Sequence, residues 1–96
     1  MKPSTALRTH RDSILRIVEA HQTCNPRVFG SVIHGTDTHE SDLDLLVDPM
    51  PDTTLLNLAS LQIALEQLLG VRVDVVTPNG LRSKYRDEII ANAQPI

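Results

Sequence analysis

Residues Phe29 to Val47 read FGSVIHGTDTHESDLDLLV, and the reading of this stretch decides the fold. In its second half Leu43, Leu45 and Val47 fall at every other position, with Asp42, Asp44 and Leu46 between them. Side chains two residues apart on a strand point to the same side of a sheet. The segment is therefore expected to be a strand with one apolar face and one largely acidic face. Its first half is a glycine-bounded turn, Gly30 to Gly35, entered from Val28 and Phe29, which read as the end of a short buried strand.

Toward the N-terminus, Asn25 and Pro26 are expected to break the pattern. Before them Leu7, Ile14, Ile17 and Val18 recur on one helical face, with Ser4 or Thr5 available as a cap, which predicts one helix from about Ser4 to His21. Toward the C-terminus, Pro49 and Pro51 end the strand. Asp52 is placed as the N-cap of a helix carrying Leu55, Leu58, Leu65 and Leu69, and Gly70 stands where a C-terminal glycine belongs. Val71, Val73, Val75 and Val76 then make a β-branched strand that carries Asp74. Thr77 and Pro78 are expected to open a last helix with Leu81, Tyr85 and Ile89 as its apolar stripe. The order α, β, turn, β, α, β, α predicts an α/β fold, a small mixed sheet with flanking helices.

The chain has 96 residues, which fits a single domain spanning residues 1–96. A composition 41% hydrophobic and 22% charged is that of an ordinary globular protein. Arginines at positions 8, 11 and 16 interrupt the first twenty residues, so no signal peptide and no membrane span is expected, and a cytoplasmic protein is. Cys24 is the only cysteine, which excludes an intramolecular disulfide and a thiol metal pair. A net charge of −3 argues against nucleic acid as a direct partner. Arg82, Lys84 and Arg86 crowd together near the C-terminus and read as a solvated helix face.

The acidic face carries the chemistry. Two carboxylates held side by side repel, and one should have a raised pKa unless a cation neutralises the pair. Mg²⁺ suits such a site, being a hard ion held by one or two carboxylates together with substrate phosphates. Asp74 is the natural third ligand, alone among valines on a strand that the intervening helix can return alongside the second. The competing reading puts Asp42 and Asp44 at a solvated strand end and pairs Asp74 with Arg72 or Arg27. Gly30 lets a phosphate approach the main chain closely and Ser31 adds a hydroxyl donor, so a triphosphate at this turn would lie near metals on Asp42 and Asp44. A P-loop is excluded because Thr36 stands where lysine is required, and an EF-hand starting at Asp37 is excluded because Asp42 stands where glycine is.

Together, Gly30-Ser31, the Asp42-x-Asp44 pair and Asp74 on a later strand resemble the nucleotidyltransferase superfamily that includes DNA polymerase beta. The FGS, SDLDLLV and VDVVTP stretches resemble its minimal members, the MNT family, many of which are antitoxins paired with HEPN-domain toxins. The resemblance implies the polymerase beta-like nucleotidyltransferase fold and a two-metal transfer of a nucleoside monophosphate to an acceptor hydroxyl. It implies that Asp42 and Asp44 bind both metals, that Asp74 binds one and helps to deprotonate or orient the acceptor, and that Gly30 and Ser31 hold the terminal phosphates. Mg²⁺ and ATP are the implied cofactor and donor. A HEPN toxin is the implied partner, receiving AMP on a hydroxyl within a hetero-oligomer. One departure stands out: relatives often read G-S-x-A-R-G, and here Ile33 and His34 occupy the A-R positions. That departure and the small size also suit a non-catalytic antitoxin that neutralises its partner by binding alone. His10, His21 and His39 show no ligand-like spacing and are assigned no role.

Overall fold

Alternating apolar side chains make a sheet that must bury one face, and three amphipathic helices supply the cover. The computed structural model describes residues 1–96. In chain order the elements are α1 (Pro3–Thr9), α2 (Arg11–Ala20), β1 (Thr23–Phe29), α3 (Ser31–His34), β2 (Leu43–Pro49), α4 (Leu55–Leu69) and β3 (Val73–Val76). A 3₁₀ turn (Pro78–Gly80), α5 (Ser83–Asn92) and a two-residue β4 (Gln94–Pro95) follow. The sheet order is β3-β2-β1-β4, with β2 and β3 parallel and the other two pairings antiparallel, so the expected mixed sheet is present. The core joins Val28, Leu43, Leu45, Val47 and Val73 of the sheet to Ala6, Ile14, Val18, Leu61, Leu65 and Leu69 of the helices.

Strand parity then decides what the other face carries. Val28 faces the core, so Arg27 and Phe29 face away from it. By the same rule Asp44, Leu46, Asp48 and Asp74 lie on that second face. Leu46 is fully buried there and the 3₁₀ turn packs against its strand, while Arg27, its side chain only 12% exposed, pairs with Asp48. The acidic residues thus stand on the side of the sheet away from the helical layer.

Several local expectations are corrected. The first helix is two: His10 leaves helical angles (φ −113°, ψ 21°) between α1 and α2. Leu7 and Ile14 are two turns apart, a spacing that a one-residue break leaves almost unchanged. Neither Ser4 nor Thr5 is the cap. Lys2 is, with Pro3 in the first turn, and Asp37 Oδ2 accepts the Ser4 N–H at 2.9 Å. Hydrogen bonds from Ser4 hold the Asp37 carboxyl below its usual range and tie the loop before β2 to α1.

Strand β1 runs through Asn25 and Pro26 instead of starting after them. Asn25 takes φ 52° and the register shifts between Cys24 and Arg27, so the proline, which has no N–H to offer a ladder, sits in a bulge. Its carbonyl accepts from the Ile96 N–H at 3.2 Å, and β4 covers the outer edge of β1. The last helix begins at Ser83, not at Pro78, because Arg86 turns back and donates to the carbonyls of Pro78 (2.8 Å) and Leu81 (2.9 Å). Arg86 is therefore not part of a solvated face, although Arg82 and Lys84 are exposed.

In α4 the N-cap is Thr54, not Asp52. The Asn57 N–H donates to Thr54 Oγ1 at 3.2 Å and the Thr54 N–H to Asn57 Oδ1 at 2.8 Å, a reciprocal capping box. Thr54→Ala is expected to cost about 1 kcal/mol, read as a lower urea midpoint with an unchanged slope. Gly70 closes the helix as the sequence suggested.

Candidate functional site

Parallel pairing of β2 with β3 builds the site. The register sets Leu43 opposite Val73 and Asp44 opposite Asp74, which brings the two carboxylates onto one face of adjacent strands. Asp42 lies one residue before β2, where the Leu43 N–H donates to the Arg72 carbonyl at 2.8 Å. On the other side of β2, Phe29 pairs with Asp44, so the chain leaves β1 at Gly30 directly beside that carboxylate.

Gly30 takes φ 74° and ψ −141°, a conformation close to glycine alone, and a Cβ there would overlap Asp44 Oδ2. The missing side chain is what lets main chain and carboxylate meet. Ser31 follows as the first residue of α3, a single turn in which the Ile33 and His34 N–H groups both donate to the Gly30 carbonyl. The turn closes at Gly35 (φ 67°), where an added Cβ would meet nothing within 4 Å. Gly30→Ala is expected to lower stability by about 1–3 kcal/mol through backbone strain. Gly35→Ala carries strain but no overlap, so chemical denaturation should rank Gly30→Ala as the more damaging of the two.

Asp44 is half-buried, whereas Asp42 and Asp74 are exposed. Burial, followed by the charges of Asp74 and Asp42, pushes the Asp44 carboxyl up to about 6. The direction is the one a side-by-side pair predicts, but burial is its main cause and Asp42, the expected partner, contributes least of the three. The arginines are not where the competing reading put them: Arg72 Nε reaches Asp42 Oδ1 at 3.1 Å, and Arg27 is taken by Asp48. No ion pair engages Asp44 or Asp74. The donor set suits a hard divalent cation, since the most buried carboxylate carries a charge that its surroundings disfavour and no protein cation offsets. The three carboxylates do not form a ready-made ligand group as they stand. Asp42 is turned to Arg72, an exposed pair of the kind worth roughly 0–1 kcal/mol and easily exchanged for a metal contact.

Next to Gly30 lies a cleft of about 340 Å³ that the sequence did not announce. One wall is Phe29, Gly30, Ile33 and His34; the other is Tyr85, Glu88, Ile89 and Asn92 of α5. The only hint was Tyr85 and Ile89 on a helical stripe, which read as core packing. Tyr85 is 45% exposed.

This arrangement of sheet, turn and helices is the minimal nucleotidyltransferase fold: over its whole length the chain superposes on 97% of a structure described as a "putative minimal nucleotidyltransferase", with TM-score 0.87 and 44% identity. The nucleotidyltransferase domain profile matches residues 12–96, and the chain belongs to that family. It is a nucleotidyltransferase. A "putative protein adenylyltransferase" of Methanocaldococcus jannaschii is 34% identical over 80 residues, 83% of this chain and 86% of that protein. Protein adenylyltransferase MntA of Thermococcus cleftensis is 45% identical over 56 residues, 58% of this chain and 57% of its own length. A toxin–antitoxin structure with AMP-PNP shares the fold at TM-score 0.74 and 19% identity, over 88% of this chain and 69% of that one.

Proposed function

We propose that the protein is a Mg²⁺-dependent antitoxin that transfers AMP from ATP to a hydroxyl of a partner HEPN toxin, within a cytoplasmic hetero-oligomer. The observation that carries this reading is the register of Asp44 against Asp74 beside Gly30. Relatives named as protein adenylyltransferases support the donor and the acceptor class, and the toxin–antitoxin neighbour supports the partner.

Asp42, Asp44 and Asp74 would hold the metal, which when bound would supply positive charge at the attacking and leaving oxygens. Gly30 and Ser31 would hold the terminal phosphates through main-chain N–H groups and the Ser31 hydroxyl. The acceptor oxygen bonds to the α-phosphorus of ATP, the bond from that phosphorus to the bridging oxygen breaks, and pyrophosphate leaves with the bond's electrons. The acceptor proton passes to a carboxylate oxygen of Asp74, which bears no ion pair that would compete for it.

The deciding experiment is intact mass of the co-expressed partner after incubation with this protein, Mg²⁺ and each nucleoside triphosphate in turn. A gain of one or more AMP units supports the reading, and an unchanged mass in a complex that still forms overturns it. A non-catalytic antitoxin is the second reading, favoured by the exposed His34 where relatives often carry arginine. Under that reading the Asp42→Asn, Asp44→Asn double variant still neutralises the partner.

A further inference from the structure

We infer that the cleft between α3 and α5 takes the nucleoside of the donor, with a purine base against Tyr85 and its hydrogen-bonding edge at Asn92. The inference rests on the proposed triphosphate site and extends it along the main chain. Gly30 belongs to both: it touches Asp44 on one side and lines the cleft on the other. A nucleotide whose phosphates lie at Gly30 and Ser31 therefore has an open cleft next to it, and this is the cleft's position relative to the acids.

Size and lining agree with that occupant. About 340 Å³ is at the lower end of small-molecule sites, suited to a nucleoside. Ile33, Ile89 and Phe29 make apolar walls, and Tyr85 offers an aromatic face of the kind on which bases stack. Lys84 Nζ lies over one face of the Tyr85 ring, 5.5 Å from its centre, so a base would stack on the opposite face. Asn92 Nδ2 donates to the Glu88 carbonyl at 3.0 Å, which leaves its second N–H and its amide oxygen for a ligand. An asparagine amide can pair with both the amino group and the N7 of adenine. Glu88, on the same wall, has carboxylate oxygens that can accept from ribose hydroxyls.

Tyr85 is the sole tyrosine and the chain has no tryptophan, so intrinsic fluorescence reports this cleft directly. The full chain with Mg²⁺ is titrated with ATP and, separately, with inorganic tripolyphosphate, following Tyr85 emission and binding by calorimetry. The inference predicts that ATP quenches Tyr85 and binds at least about tenfold tighter than tripolyphosphate, which leaves the emission unchanged. Ile89→Trp, which fills the cleft, should bring ATP affinity down to that of tripolyphosphate while tripolyphosphate affinity stays as in the unmodified chain. Asn92→Ala, at an exposed position, should weaken ATP and leave tripolyphosphate unaffected. Equal binding of ATP and tripolyphosphate, or variants that alter neither, overturns the inference and leaves the phosphate site standing. If neither ligand binds the unmodified chain, the phosphate site itself fails and the inference with it.

Discussion

Asp44→Asn is expected to remove nucleotidyl transfer and, above pH 6, to make the protein more stable. In the unfolded chain this carboxyl loses its proton near 3.8, and in the folded chain only near 6. Between those values the unfolded state binds fewer protons than the folded state, so stability falls as pH rises through the window and stays lowered above it. Two pKa units in a sealed site would correspond to about 3 kcal/mol. Asp44 is only half-buried, so screening by solvent brings the expected cost to about 1–2 kcal/mol. Asparagine keeps the shape and removes the charge. Thermal melting at pH 8 should rise by roughly 4–8 °C per kcal/mol recovered, with the difference between variant and parent vanishing only near about pH 2.5, well below both pKa values, where the aspartate is protonated in both states.

Mg²⁺ separates this charge effect from generic stabilisation. Under the proposed function a cation held by the three aspartates would supply the charge that the fold lacks, so the parent melting temperature should climb with added Mg²⁺ at pH 8 and that of Asp44→Asn should not. Activity should fall at least about a hundredfold, since losses of tenfold to a hundredfold attend changes to groups that merely support a ligand. A variant that is less stable than the parent at pH 8 would mean that the Asp44 carboxylate makes a favourable contact as a charge, and the electrostatic account of the site would fail.

The acidic site was legible because it rests on patterns that survive folding. A two-residue alternation fixes which way Asp44 points, and the run of valines around Asp74 marks a strand; the pairing register was left to be found, and so was Asp42, which falls one residue before β2 and turns to Arg72. That register depends on α4 returning the chain to the edge of β2, a tertiary fact. The cleft was not legible for a related reason. Its two walls are more than fifty residues apart, and Tyr85 and Ile89 have the helical spacing of ordinary core residues although Tyr85 is exposed. Single residues defeated the element boundaries. His10 breaks a helix without disturbing its period, and Arg86 draws the carbonyls of Pro78 and Leu81 out of the last helix. Pro26 is accommodated in β1 by a bulge that no propensity announces.

Helix α4 shows how position overrides period. Leu55 and Leu65 read as members of one stripe, yet Leu65 is 0% exposed and Leu55 is 85% exposed. Leu58 is partly buried against the core, whereas Leu55, immediately after the cap, is one turn short of it. Leu61, left off the predicted stripe, is fully buried and completes the contact with Leu65 and Leu69. Leu65→Ala should therefore cost about 2–5 kcal/mol, combining lost transfer free energy with the cavity left behind. Against a total of roughly 5–15 kcal/mol for a domain, that is enough to leave a measurable unfolded fraction. Leu55→Ser should change stability by no more than about 0.5 kcal/mol. Urea midpoints for the two variants decide the matter: a large loss from Leu55→Ser would place the first turn of α4 in the core, and the packing of this helix over the sheet that carries Asp44 and Asp74 would have to be redrawn.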